Sequence, residues 1–425
     1  MNLWQLKGRL LVLYAWQMLK TKFTGFLQYS RSIIRWVNKV SIRLALLLSS
    51  LALLSIGGCP AAWSNSTDTA TQESNNELLN RIQQEVDAEN VAERSYTDLA
   101  NILEKDPANY RAHLLLGNCY DLLGLPEQAY EQFQLALKYG PNEPKAIVAM
   151  IKEQTKSGRM RDASAMVDDA SKRFPDNPEI KFWAGNFLYS QQRLKEAEQK
   201  YSEALSSKSK IFGLPTAMAV IRFRQKHYLE AVALANQDLA KNPNYVLANE
   251  VTGLSLMKLH LYDKAVKPMS VAFNANALKS IIAQEYAQAL YWKGDYQLAM
   301  RPALVNLAVS SDLYSNDATS KSVLGNIMRH LNKKQVEAAI EDVSSKAGID
   351  KSAAFHFALG DVLDRYGLKY LAINQYRKGL ALEPGFGRAW YRLGVDLETY
   401  KHDYPEALKC LKKAAALLPE DESAQ

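Results

Sequence analysis

The chain has 425 residues, 48% of them hydrophobic, and a formal net charge of +7. That excess sits at one end: eight cations and no acid stand in the first 58 residues, leaving 44 Lys and Arg against 45 Asp and Glu in the rest. The remainder therefore lacks the basic footprint that a nucleic-acid partner requires, and none is expected.

Residues 1–58 read as a basic leader and signal peptide. Lys7, Arg9, Lys20, Lys22, Arg31, Arg35, Lys39 and Arg43 precede the apolar run Leu44–Ile56. A positive segment, an apolar core and a small-residue exit are the parts of a secretory signal. The run ends in Ile56-Gly57-Gly58-Cys59, which resembles a bacterial lipobox. Lipidation needs a thiol to take the diacylglycerol and small neighbours that let a peptidase reach the preceding bond. Cys59 is thus the candidate lipidation site, with the lipid anchor holding the protein to a membrane. The cations stay inside, so the rest faces the periplasm or exterior of a bacterial cell envelope. Residues 59–75 carry that cysteine and a Ser-, Thr- and Asn-rich stretch read as a flexible tether spanning roughly 20–25 Å.

Residues 76–313 are periodic. Ala129, Ala163, Ala197, Ala231, Ala265 and Ala299 follow one another at a spacing of 34 without interruption. With each alanine numbered 20, units begin at Tyr110, Pro144, Pro178, Phe212, Val246 and Ser280. Position 8 is then small in five of six units: Gly117, Gly185, Ala219, Gly253 and Ala287, with Ile151 the exception. Small residues at 8 and 20 let two helices cross closely, while bulky residues at 4, 7, 11 and 24 fill the surroundings. Proline at position 32, as in Pro141, Pro175 and Pro243, ends the second helix. A weaker first unit covers 76–109, with Ser95 where the alanine belongs.

The phase breaks in 314–352, read as one degenerate helical unit, and resumes in 353–420 as two more units; 421–425 is a tail. In the last unit one extra residue lies between Gly394 and Ala407, and it is assigned to the turn. The fold class is all-α: a right-handed superhelical solenoid of about ten helix–turn–helix units, one degenerate. Ile151, Ser95 and the 314–352 unit are where a kink or atypical packing is expected.

These residues resemble the tetratricopeptide repeat (TPR) family. The unit with Leu116-Gly117, Tyr120, Ala129, Phe133, Ala136 and Pro141 matches its pattern at nearly every position. With Cys59, the chain resembles bacterial TPR lipoproteins. The resemblance implies a fold and a habit of binding proteins, and it selects no pathway.

Chemistry-bearing motifs are missing. Cys119 and Cys410 lie more than eight periods apart and read as free buried thiols, and the six histidines show no metal-ligand spacing. No enzyme, metal or cofactor is expected. The function lies instead in a concave groove lined by the first helix of each unit, to which positions 2, 5, 9, 12 and 13 point. That stripe collects Phe182, Asn186, Tyr189, Phe223, Gln288, Tyr291, Trp292, Arg388 and Tyr391. Aromatic rings and amides suit an extended peptide or a partner helix. Lys145, Lys152 and Lys156 are read as a patch able to steer an acidic segment. The expectation is a non-catalytic, membrane-tethered protein-interaction scaffold that aids envelope complex assembly, with an adaptor or regulator of a cell-wall hydrolase or protease as the alternative. The apolar last helix leaves self-association open.

Overall fold

The computed structural model describes residues 68–207, 210–311, 318–347 and 351–418. Among them are twenty α-helices and no strand. The leader and Cys59 lie outside the described residues. The helices follow one another as ten pairs, in two compact units, Met1–Phe174 and Pro175–Gln425.

The first unit holds α1 (Asp68–Asp87), α2 (Glu93–Lys105), α3 (Tyr110–Leu123), α4 (Pro126–Tyr139), α5 (Pro144–Lys156) and α6 (Met160–Arg173). Helix α1 begins at Asp68, inside the stretch expected to be a loose tether. The segment Asp68–Asn80 contains neither glycine nor proline, so nothing local stops the helix from extending toward its N-terminus. Leu79, Ile82, Leu99 and Ile102 form the core of the first pair. Ser95, which replaces the alanine, is fully buried and donates to Glu85 Oε2 at 2.6 Å. Burial alone would raise the Glu85 carboxyl. The Ser95 hydroxyl, the Ala92 N–H and Arg81 outweigh it and hold that carboxyl below its usual range.

The second unit continues with α7 (Pro178–Ser190), α8 (Leu194–Ser206), α9 (Leu214–Arg224), α10 (Tyr228–Leu239), α11 (Val246–Lys258), α12 (Tyr262–Ala275), α13 (Ser280–Lys293) and α14 (Tyr296–Ser310). It ends with α15 (Ala318–Met328), α16 (Lys333–Ala347), α17 (Ala353–Arg365), α18 (Lys369–Leu382), α19 (Gly387–Asp396) and α20 (Tyr404–Leu417). Helix starts are written locally. Proline occupies the first turn of α4, α5, α7, α9 and α20, where its missing N–H costs nothing. The Asn177 side chain caps α7 by accepting from Glu179 N and Ile180 N at 2.9 and 3.1 Å.

The two helices of a pair close over position 8. A Cβ on Gly117 would fall 2.5 Å from the Phe133 ring, one on Gly185 2.5 Å from Tyr201, and one on Gly360 2.6 Å from Tyr376. Each ring is the residue at position 24, so the small residue and the ring are one packing element. Burying such a ring contributes about 1.5–3 kcal/mol. In the α5–α6 pair the bulk changes sides: Ile151 at position 8 is fully buried, and the residue at 24 is the smaller Val167. Helix α5 stays unbroken there, and the pair packs less closely than its neighbours.

Successive helix pairs are also locked by a hydrogen bond that the sequence pattern does not announce. At position 4, His113 Nε2 lies 3.0 Å from the Pro107 carbonyl, Asn249 Nδ2 donates to Pro243 O at 2.9 Å, and Trp390 Nε1 donates to Pro384 O at 2.8 Å. Each acceptor is the position-32 proline that ended the preceding unit, so its orphan carbonyl gains a partner.

The degenerate unit departs for a visible reason. Helix α15 packs against α14 and α17, and α16 packs against α14. The Tyr366 ring of the next unit occupies the space above Gly325, so that any Cβ there would collide with it. In the last pair the extra residue does not sit in the turn. It is absorbed in a π-helical turn, Leu397–Lys401, which widens the end of α19.

Candidate functional site

Among the described residues, no three His, Cys, Asp or Glu side chains are grouped to hold a metal ion. Cys119 and Cys410 are free and buried, and burial pushes the Cys119 thiol up to about 12. His113 and His356 are buried at position 4 and face Gln132 Oε1 and Gln375 Oε1 at 2.8 and 2.7 Å.

The nine expected groove residues, all in the second unit, divide by exposure. Phe182 is 8% exposed and belongs to the core, with its ring 6.0 Å from Tyr201. Position 5 of α7 therefore serves its own helix pair. Asn186 is half-buried and its Oδ1 accepts from the Tyr201 hydroxyl at 2.8 Å, which fixes the carboxamide inward. Phe223 is half-buried, 5.6 Å from the Tyr228 ring. Gln288 and Tyr391 are half-buried and Arg388 is exposed. Tyr189 carries the Arg224 guanidinium over its ring at 5.0 Å.

The structure brings Tyr291 and Trp292 together with four rings that the groove stripe left out. Trp292 is 60% exposed; it stacks on Tyr262 at 5.6 Å and 20° and meets Tyr291 edge-on at 5.2 Å and 75°. Tyr291 continues to Tyr296 and His330, and those two stack face to face at 4.0 Å. His260 closes the other end, its Nδ1 2.7 Å from the Tyr262 hydroxyl. Six rings thus form one unbroken chain. They come from the last turn of a first helix (Tyr291, Trp292), the start of a second helix (Tyr262, Tyr296) and the linking turns (His260, His330). The missed signal was periodic: Tyr228, Tyr262 and Tyr296 recur at the spacing of 34 at position 17.

Two of the lysines beside this chain are paired: Lys258 Nζ lies 3.3 Å from Glu285 Oε1, and Lys293 pairs with Asp295 at 2.5 Å. In the lysine patch of α5, Lys152 and Lys156 both bond Asp121, while Lys145 is exposed. Burial would raise the Asp121 carboxyl, but the two ammonium groups hold it below its ordinary range. That pairing removes most of the expected pull on an acidic segment. The outer side of the last helix exposes Tyr404, Leu408 and Leu417.

Family models of the tetratricopeptide repeat match residues 91–151 and 149–210. No curated protein matches the chain. Solved structures resemble the chain at low identity. The APC/C hetero-tetramer Cut9–Hcn1 is 14% identical, with 78% of this chain and 57% of that one covered and a TM-score of 0.42. This chain therefore spans little more than half the length of that relative. PilF of Pseudomonas aeruginosa is 20% identical over 52% of this chain and 97% of its own, with a TM-score of 0.42. A thermophilic protein of the same repeat class from Thermus thermophilus is 19% identical over 43% of this chain and 99% of its own, with a TM-score of 0.37.

Proposed function

Because this chain is a tetratricopeptide-repeat protein, we propose that it is a non-catalytic scaffold that holds segments of other proteins against its second unit. The observation that carries this reading is the ring chain around Trp292, which leaves that indole 60% exposed while Tyr262, Tyr291 and Tyr296 pack half-buried against the core. Rings half in solvent cost little entropy to order and supply most of the area of a protein contact.

The same proposal tethers the scaffold to a bacterial membrane through lipid on Cys59, with the repeats on the non-cytoplasmic side. Eight leader cations, the apolar run and the Gly57-Gly58-Cys59 exit support it. Cys59→Ser should then leave the precursor uncleaved and free of lipid. Normal processing of that variant would remove the anchor from the proposal.

The scaffold reading is tested by capture from detergent-solubilised envelopes, comparing the natural chain with Tyr189→Ala/Trp292→Ala and identifying bound proteins by mass spectrometry. Phe182 is left alone because its loss would cost core packing. A partner set lost in the double variant, with helicity unchanged, supports the reading. An identical set from both chains contradicts it. Co-purification of an active cell-wall hydrolase would favour an adaptor role over assembly of a larger envelope complex.

A further inference from the structure

We propose that the ring chain from His260 to His330 is a docking strip for an extended, uncharged, proline-rich segment of a partner protein; this rests on the scaffold reading and names its ligand class. Three observations select that chemistry. First, the rings alternate in attitude. Trp292 lies 20° from parallel to Tyr262 but stands at 75° to Tyr291, so the rings meet at an angle rather than as one flat face. A pyrrolidine ring is flat, apolar and already fixed in φ, and it packs against such an angle without losing rotamer freedom. The ridges of a bound amphipathic helix call for a wider continuous apolar groove.

Second, the strip offers a hydrogen-bond donor to a backbone that needs one. A polyproline II segment makes no internal hydrogen bonds and leaves its carbonyls free. The Trp292 indole N–H has no acceptor among the described residues, and with 60% of the residue exposed it can reach one on a bound chain. A helical ligand would already have satisfied most of its carbonyls. Third, Lys258 and Lys293 are each paired with an acid, Glu285 and Asp295, so neither offers a free ammonium to an acidic tail. Nor is there a strand among the described residues whose edge an extended ligand could join.

The test is a fluorescence-polarisation titration of the full chain in detergent. One labelled neutral peptide of proline and leucine shows polyproline II circular dichroism. A second, of equal length and built from Ala, Leu and Gln, is helical. The proline peptide should bind, and Trp292→Ala should weaken it about tenfold or more. Leu229→Ala, an exposed change elsewhere on the unit, should not alter it. No binding of the proline peptide, or equal binding by Trp292→Ala, overturns the inference. Trp292-dependent binding of the helical peptide alone also overturns it, while leaving the scaffold reading standing. Loss of all envelope partners from the natural chain would instead remove the scaffold reading itself.

Discussion

Gly185 lies directly beneath the Tyr201 ring, so close that a methyl group on the glycine would stand 2.5 Å from Tyr201 Cε1, and the tyrosine hydroxyl is tied to Asn186 Oδ1 at 2.8 Å. The ring cannot swing away without breaking that bond and leaving the core, where it is 2% exposed. Gly185→Ala should therefore force α7 and α8 apart and lower stability by about 1–3 kcal/mol. A thermal or denaturant melt of the variant checks this, and an unchanged midpoint would contradict the packing.

A second prediction concerns the turn inside each pair. Position 15 is left-handed whatever residue occupies it: φ is 75° at Gly158 and 93° at Gly294, but also 60° at Gln192, 67° at Lys226 and 58° at His260. A side chain there costs about 1–2 kcal/mol, partly offset because glycine loses more entropy on folding. Lys226→Gly should thus raise stability by up to about 1 kcal/mol. Gly294→Ala, whose new methyl would meet nothing within 4 Å, should lower it by about 1 kcal/mol through backbone strain alone. Opposite shifts in the two melts are the expected result.

These turns mark where sequence reasoning stopped. The spacing of the alanines is a covalent fact, and the six helix pairs from Tyr110 to Ser310 follow from it because each crossing needs a small residue at a fixed phase. The identity of Gln192 or Lys226, by contrast, says nothing of a left-handed φ; only the neighbouring glycines in the same register do. Phe182 leaves the groove for another reason. Position 5 borders both the groove and the position-24 ring, and the size of Tyr201 decides which side wins. The extra residue before Ala407 lies in a π turn rather than in the expected longer turn, and the sequence does not separate the two because both insert the same number of residues. The ring chain needed contacts between units, which no single-unit pattern contains.

The lock between successive helix pairs gives a third prediction. Asn249 is 5% exposed and donates to the carbonyls of Pro243 at 2.9 Å and Tyr245 at 3.0 Å. Asn249→Ala leaves the proline carbonyl without that partner and should cost about 1–3 kcal/mol. Asn249→His, the residue used at this position in His113 and His356, should recover part of the loss. Chemical denaturation of the three chains distinguishes a specific hydrogen bond from mere side-chain volume, since alanine and histidine differ from asparagine in opposite directions of size.

The last prediction is a pH dependence with a fixed sign. Asp396 closes α19 just before the π turn and is 3% exposed, and burial with the neighbouring Asp364 raises its carboxyl to about 6 despite Lys369 beside both. The folded chain thus holds a proton on Asp396 that the unfolded chain, with an ordinary carboxyl near 3.8, has released. Stability from this group is fully present below about pH 4 and is lost as pH rises through about 6. The loss amounts to about 2–3 kcal/mol. Asp396→Asn is neutral at every pH and escapes it. The melting point of the natural chain should therefore fall relative to the variant between pH 4 and pH 8, with the variant the more stable at the alkaline end. A constant difference across that range would mean that Asp396 is ionised throughout in the fold and that Lys369 outweighs its burial.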